Sequence, residues 1–177
     1  MNSLLKGVNL YLVAMPGAGK SAVGRKLAPM LGYRFIDTDE VIEQVAGKSI
    51  AELFDEEGEE AFRQRESQVL AKVCAYTNLV VATGGGIVVR RENWSYLHHG
   101  LVVWLDVAVE LIYTRLASDT TRPLLRGVDL LVWLQTRFEL RQPLYAQADL
   151  QVTVVSDEET PEEIAKRMLE EIPTVLK

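Results

Sequence analysis

Cysteine occurs once, at position 74, so no disulfide can close within the chain. In Val69-Leu70-Ala71-Lys72-Val73-Cys74 it reads as a small interior helix residue, not a reactive thiol. Runs of lysine and arginine are also missing. The basic residues are scattered, and the net charge of −6 argues against a nucleic-acid partner. Each basic residue is therefore weighed as an individual anchor. No apolar stretch approaches the length of a membrane span, and Met1 to Lys6 carry no cleavage signature. These absences lead us to expect no membrane partner and a cytoplasmic protein, or an organelle-stroma one if a transit peptide has been removed. The two histidines, His98 and His99, stand together before Gly100 at a predicted helix end, where capping or a dipole interaction is the reading. Trp94, Trp104 and Trp133 are expected in the core. No internal repeat, linker or heptad is visible, which predicts one domain over residues 1–177 and a monomer.

What is present is an alternation of short apolar runs with helical patterns. Strands are predicted at Asn9 to Ala14, Arg34 to Asp37, Asn78 to Ala82, Leu101 to Leu105 and Leu150 to Val155. Helices are predicted at Ser21 to Leu31, Thr38 to Ala46 with Thr38 as a possible cap, and Ser49 onward to about Tyr76 with a break near Gly58. Further helices are read at Arg91 to His98, Val109 to Leu116, Leu130 to Tyr145 with a kink near Arg141 before Pro143, and Pro161 to Glu171. Ser49 and Glu52 have capping-box spacing. Asp119 to Gly127 reads as a polar loop. The pattern is that of an α/β domain, a parallel sheet covered on both faces.

The most informative segment is Ala14-Met15-Pro16-Gly17-Ala18-Gly19-Lys20-Ser21, between a strand and a helix. It matches the phosphate-binding P-loop, with alanine at the usual first glycine. Gly17, Ala18 and Gly19 let backbone N–H groups turn inward around phosphate oxygens at a helix N-terminus. Lys20 reaches the β- and γ-phosphates of ATP, and the Ser21 hydroxyl is a ligand for Mg²⁺.

Four other constellations are candidates. Asp37-Thr38-Asp39 ends the second strand, where open α/β sheets bind ligands; one carboxylate can serve Mg²⁺ and the other a hydroxyl, or the group can simply cap a helix. Arg63 and Glu66 share a helix face, as a solvated pair or as an arginine fixed to clamp an anion. Gly84-Gly85-Gly86 follows the third strand and suggests backbone close to a ligand, with a plain flexible loop as the alternative. Arg122, in the polar loop beside Pro123, suits a lid; Arg141 precedes Gln142-Pro143-Leu144-Tyr145.

In order and spacing these segments resemble the shikimate kinase family over essentially the whole chain. The resemblance implies a three-layer P-loop kinase fold with a five-stranded parallel sheet in the order 2-3-1-4-5 and helices on both faces. It implies a substrate-binding helical segment at about 38–66 and a lid at about 117–129. It further implies phosphorylation of the 3-hydroxyl of shikimate by ATP, with Mg²⁺, in aromatic amino-acid biosynthesis. By similarity, Lys20, Asp39 and Arg122 are catalytic, and Asp39 orients or deprotonates the attacking hydroxyl. Gly17 to Ser21, Ala22, Arg115 and Arg122 are assigned to the nucleotide, with Arg115 near adenine. Ser21 and Asp37 are assigned to the metal. Arg63, Arg141 and the Gly84–Gly86 backbone are assigned to shikimate, with Glu66 fixing Arg63 and Phe54 and Phe62 walling the pocket. The family usually has glycine at position 14 and often threonine at position 22, where this chain has Ala14 and Ala22. Two rival functions stand beside this one: another small-molecule P-loop kinase, and a catalytically silent relative that binds without transferring phosphate.

Overall fold

The computed structural model describes residues 4–117 and 129–176. Among these, five strands form one parallel sheet: β1 (Leu10–Val13), β2 (Arg34–Asp37), β3 (Leu79–Ala82), β4 (Leu101–Val107) and β5 (Leu150–Val154). The order is β2-β3-β1-β4-β5, the order the resemblance implied. Parallel neighbours require long crossovers. These are supplied by α1 (Lys20–Leu31), α2 (Thr38–Ala46), α3 (Ile50–Val73), α4 (Arg91–Leu97), α5 (Val109–Ala117) and α6 (Leu130–Tyr145), and α7 (Pro161–Glu171) follows the last strand.

Every residue of β1 and β3 is buried, so both faces of the central strands must be covered. Helix α1 packs on β1, β2, β3 and α7. Helices α3, α4 and α6 form a second group, each touching the 3₁₀ turn Ile87–Val89. The edge strand β5 keeps a two-residue alternation, with Gln151 and Thr153 exposed between buried Leu150, Val152 and Val154. That pattern is read directly from its sequence. At the lower end of the sheet the buried side chain of Asn9 joins two strands. Its Oδ1 accepts from Leu79 N at 3.0 Å, and its Nδ2 donates to the Tyr76 carbonyl at 2.9 Å.

Several element ends differ from the sequence expectation. The cap of α2 is Asp37, not Thr38: Asp37 Oδ1 accepts from Asp39 N at 2.9 Å and Glu40 N at 3.4 Å. Helix α3 stops at Val73 instead of Tyr76, and Cys74 is a half-buried cap residue there. Helix α4 ends at Leu97, with His98 as its cap beside the Trp94 ring. Strand β4 continues to Val107 because it pairs with β5 along its whole second half. Helix α6 has the expected ends, Leu130 and Tyr145, with Pro143 inside it. The break at Gly58 is present, with φ 84° and ψ 173° inside the run called α3. Residues 118–128, which hold Arg122 and most of the expected 117–129 lid, lie outside the described residues.

The first turn of α3 is closed by the expected capping box, Glu52 N donating to Ser49 Oγ at 3.1 Å and Ser49 N to Glu52 Oε1 at 3.3 Å. Ser49→Ala removes one acceptor at an otherwise orphaned N–H. It is expected to lower the unfolding free energy by about 1 kcal/mol. The measurement is a urea titration, where the midpoint should fall at unchanged slope; an unmoved midpoint would show that the box adds nothing.

Candidate active site

The predicted site residues that the structure describes gather about the carboxyl ends of β1, β2 and β3. After β1 the chain turns through Gly17 at φ 83° and Gly19 at φ 93°, a left-handed conformation that glycine reaches at little cost. Ala14 does not share it. It is buried at the strand end with φ outside the positive range, which explains why a methyl group is accepted there. Lys20 opens α1 and its Nζ donates back to the Ala14 carbonyl at 3.0 Å and the Met15 carbonyl at 3.3 Å. Ala18 is buried within the loop, and Ala22 is exposed one turn into α1.

The two readings of Asp37 coexist. One oxygen caps α2, while Oδ2 accepts from the Ser21 hydroxyl. A hydroxyl and a carboxylate side by side at the phosphate loop are hard oxygen donors of the kind Mg²⁺ takes. Among the described residues no three of His, Cys, Asp and Glu gather into a cage. Arg115, from α5, crosses the other side of the loop. Its Nη1 donates to the Ala18 carbonyl at 3.0 Å, and its Nη2 to Asp157 Oδ1 at 2.7 Å. Asp157 was not singled out from sequence, because the segment around it carries no recognisable motif.

Beside the loop lies a cavity of about 450 Å³. Asp39, Phe54, Phe62, Arg63, Glu66, Gly85, Gly86 and Arg141 all line it. The Phe54 and Phe62 rings, tilted by 30° with centroids 4.6 Å apart, form one wall. Arg63 Nη1 donates to Glu66 Oε1 at 3.0 Å, and this is no solvated pair: Glu66 is 1% exposed. Burial pushes the Glu66 carboxyl above the usual carboxylate range, against the lowering effect of Arg63. The glycine triplet is explained by neighbours within the protein. A Cβ on Gly84 would collide with Glu66 Oε2 and lie 2.9 Å from Asp39 Oδ1. One on Gly85 would meet Pro16 Cγ at 2.7 Å, and one on Gly86 would overlap the Arg63 guanidinium. The loop is bare so that charged side chains can lie against its backbone.

That backbone is also fixed. Gly84 N donates to the buried Thr38 Oγ1 at 3.1 Å, so Thr38 holds the triplet instead of capping α2. The Gly85 carbonyl accepts from Arg141 Nη1 at 3.1 Å and from the Tyr145 hydroxyl at 3.0 Å. Burial raises the Tyr145 hydroxyl to about 12, so it remains a donor at neutral pH. Two α6 residues are among the cavity's lining residues that were missed. Trp133, expected in the core, is half-buried and lines the cavity, as does Arg137. The signal was available in the four-residue spacing of 133, 137, 141 and 145, which puts all four on one helix face.

A parallel sheet in this order, a phosphate loop running into α1 and a polar cavity at the same end define a P-loop phosphotransferase. Comparison with known proteins makes the class specific. A family model described as shikimate kinase matches residues 16–173. A shikimate kinase of Trichormus variabilis is 63% identical over 177 residues, covering 100% of this chain and 97% of that protein. One from Rippkaea orientalis is 53% identical over 174 residues, covering 98% and 92%. Among solved structures, a shikimate kinase from Acinetobacter baumannii in complex with shikimate superimposes with TM-score 0.90 at 37% identity, covering 97% of this chain and 96% of that one. The shikimate kinase of Aquifex aeolicus gives TM-score 0.80 at 32% identity, covering 93% and 96%. The chain belongs to the shikimate kinase family.

The raised Glu66 carboxyl has a consequence for stability. Its folded value lies above the unfolded one, so between the two the folded state holds the extra proton and stability falls as pH rises. Glu66→Gln removes that titration. The stability difference, wild type minus variant, is therefore expected to fall as pH rises above about 4.3, measured by urea unfolding from pH 4 to 8. A difference that grew with pH would place the Glu66 value below the unfolded one.

Proposed function

We propose that the protein transfers the γ-phosphoryl group of ATP to the 3-hydroxyl of shikimate, giving shikimate 3-phosphate and ADP, in chorismate and aromatic amino-acid biosynthesis. The observation that carries this reading is one cavity at the phosphate loop lined by Asp39, Arg63 and Arg141, with Arg63 held by buried Glu66. A small ring with one carboxylate and three hydroxyls fits that donor set: guanidinium groups suit the carboxylate, and an aspartate suits paired hydroxyls.

Phosphoryl transfer asks the protein mainly for alignment and charge neutralisation. Lys20 exchanges its contacts to the Ala14 and Met15 carbonyls for β- and γ-phosphate oxygens. The N–H groups from Gly17 to Ser21 cradle the phosphates, and Arg115 borders the nucleotide side. Asp39 accepts the hydroxyl proton or orients that hydroxyl toward the γ-phosphorus. Arg63 and Arg141 hold the ring at its carboxylate end, and Phe54 and Phe62 exclude water from its face. Ser21 directly, and Asp37 through water, would hold Mg²⁺, which neutralises charge on the β- and γ-phosphates. An ATP-consumption assay with shikimate, gluconate and nucleoside monophosphates tests the reading. Turnover with shikimate is expected; turnover only with another acceptor, or none, would refute it.

Lys20→Ala is expected to lower turnover at saturating ATP and shikimate by about 10²–10³-fold, the usual effect of deleting one preorganised charge contact. Circular dichroism should be unchanged. Near-wild-type turnover would remove Lys20 from the phosphate site.

Arg63→Lys should be nearly as damaging as Arg63→Ala. Lysine keeps the charge but loses the planar fork that Glu66 fixes. The loss is expected to be about 2–3 kcal/mol in shikimate affinity, with ATP affinity in the absence of shikimate barely changed. Wild-type shikimate binding by the lysine variant would make geometry irrelevant at this position.

A further inference from the structure

Helix α6 presents Trp133, Arg137, Arg141 and Tyr145 at intervals of four residues. The inner two are committed: Tyr145 and Arg141 both donate to the Gly85 carbonyl. One turn outward, about 6 Å along the axis, Arg137 lines the same cavity. Its guanidinium carbon stands 5.1 Å from the centroid of the Trp133 ring, another turn out. Arg63 meets the carboxylates of Glu66 and Glu59. Among the described residues Arg137 makes no ion pair and no hydrogen bond, and its neighbours three and four positions away are Trp133, Leu134, Leu140 and Arg141. No helix partner neutralises it. Two arginines on one helix face destabilise each other unless an anion lies between them. A guanidinium lying on an indole keeps its edge N–H groups free to donate.

We propose that Arg137 is a third arginine of the acceptor site, contacting the acceptor's carboxylate beside Arg141 and making the site select for an anionic ring. Trp133 acts as a positioning residue that sets the plane of the guanidinium. This inference rests on shikimate as the acceptor. The hydroxyl to be phosphorylated must lie at the Asp39 and phosphate-loop end, so the carboxylate lies toward the α6 arginines. Arg137 is the outermost of these.

The test is steady-state kinetics on wild type and Arg137→Gln with shikimate and with its neutral methyl ester. For shikimate, the variant is expected to raise KM about tenfold, the size of one lost charge-assisted contact, with kcat within about twofold and KM for ATP unchanged. Its preference for shikimate over the ester should fall by the same factor. Trp133→Leu should produce part of this shift, and Trp133→Phe less. Should the glutamine variant fail to fold, Arg137→Lys is measured in its place, with a smaller fall in the same preference expected. An unchanged preference in a folded variant overturns the proposal alone. A wild-type chain without turnover on shikimate overturns both the proposal and the function beneath it.

Discussion

The arrangement depends on one buried carboxylate. Glu66 sits at 1% exposure with Arg63 at 3.0 Å, and the triplet at the end of β3 is shaped around this pair. A charge in that position is costly unless it is matched. Arg63 matches one oxygen, whereas the Asp39 carboxylate, also close to Gly84, repels the charge. Desolvation, with Asp39 adding to it, outweighs the Arg63 contact, since the carboxyl is pushed upward. Such a pair adds little to stability. Its effect is to hold a guanidinium in one plane at the wall of a cavity.

The sheet delivers this pair to the phosphate loop. Strands β1, β2 and β3 are adjacent and parallel, so their carboxyl ends carry the phosphate loop, the Asp37-Thr38-Asp39 turn and the glycine triplet to one place. Short polar links join these segments, Ser21 to Asp37 and Gly84 to Thr38, and α6 ties down the triplet through Arg141 and Tyr145 to Gly85. Each segment therefore fixes its neighbour. A phosphoryl-transfer site gains most of its rate from such alignment.

Much of this was legible in the sequence, and the parts that were not have physical reasons. The five strands and the phosphate loop announce themselves through apolar runs and glycine spacing, which are local signals. Arg63 and Glu66 three apart on a helix are equally local; their burial is not, because it is decided by the distant triplet. The strand order came from resemblance alone, since no periodicity encodes which strands are neighbours. Thr38 looked like a cap because capping is the common use of threonine before a helix, whereas the hydroxyl is taken by Gly84, 46 residues away. Trp133 was assigned to the core by its size. Its position in the cavity follows from the helix face it shares with Arg141.

The central claim is that Glu66 acts on shikimate through the geometry of Arg63. A double-mutant cycle measures this directly, with shikimate affinity read by calorimetry on wild type, Arg63→Lys, Glu66→Gln and the combination. Coupled residues show interaction energies of about 0.5–3 kcal/mol. The account predicts that value, because lysine costs little more once the carboxylate that orients the guanidinium is gone. Additive losses would show that Arg63 and Glu66 act independently, and would contradict it.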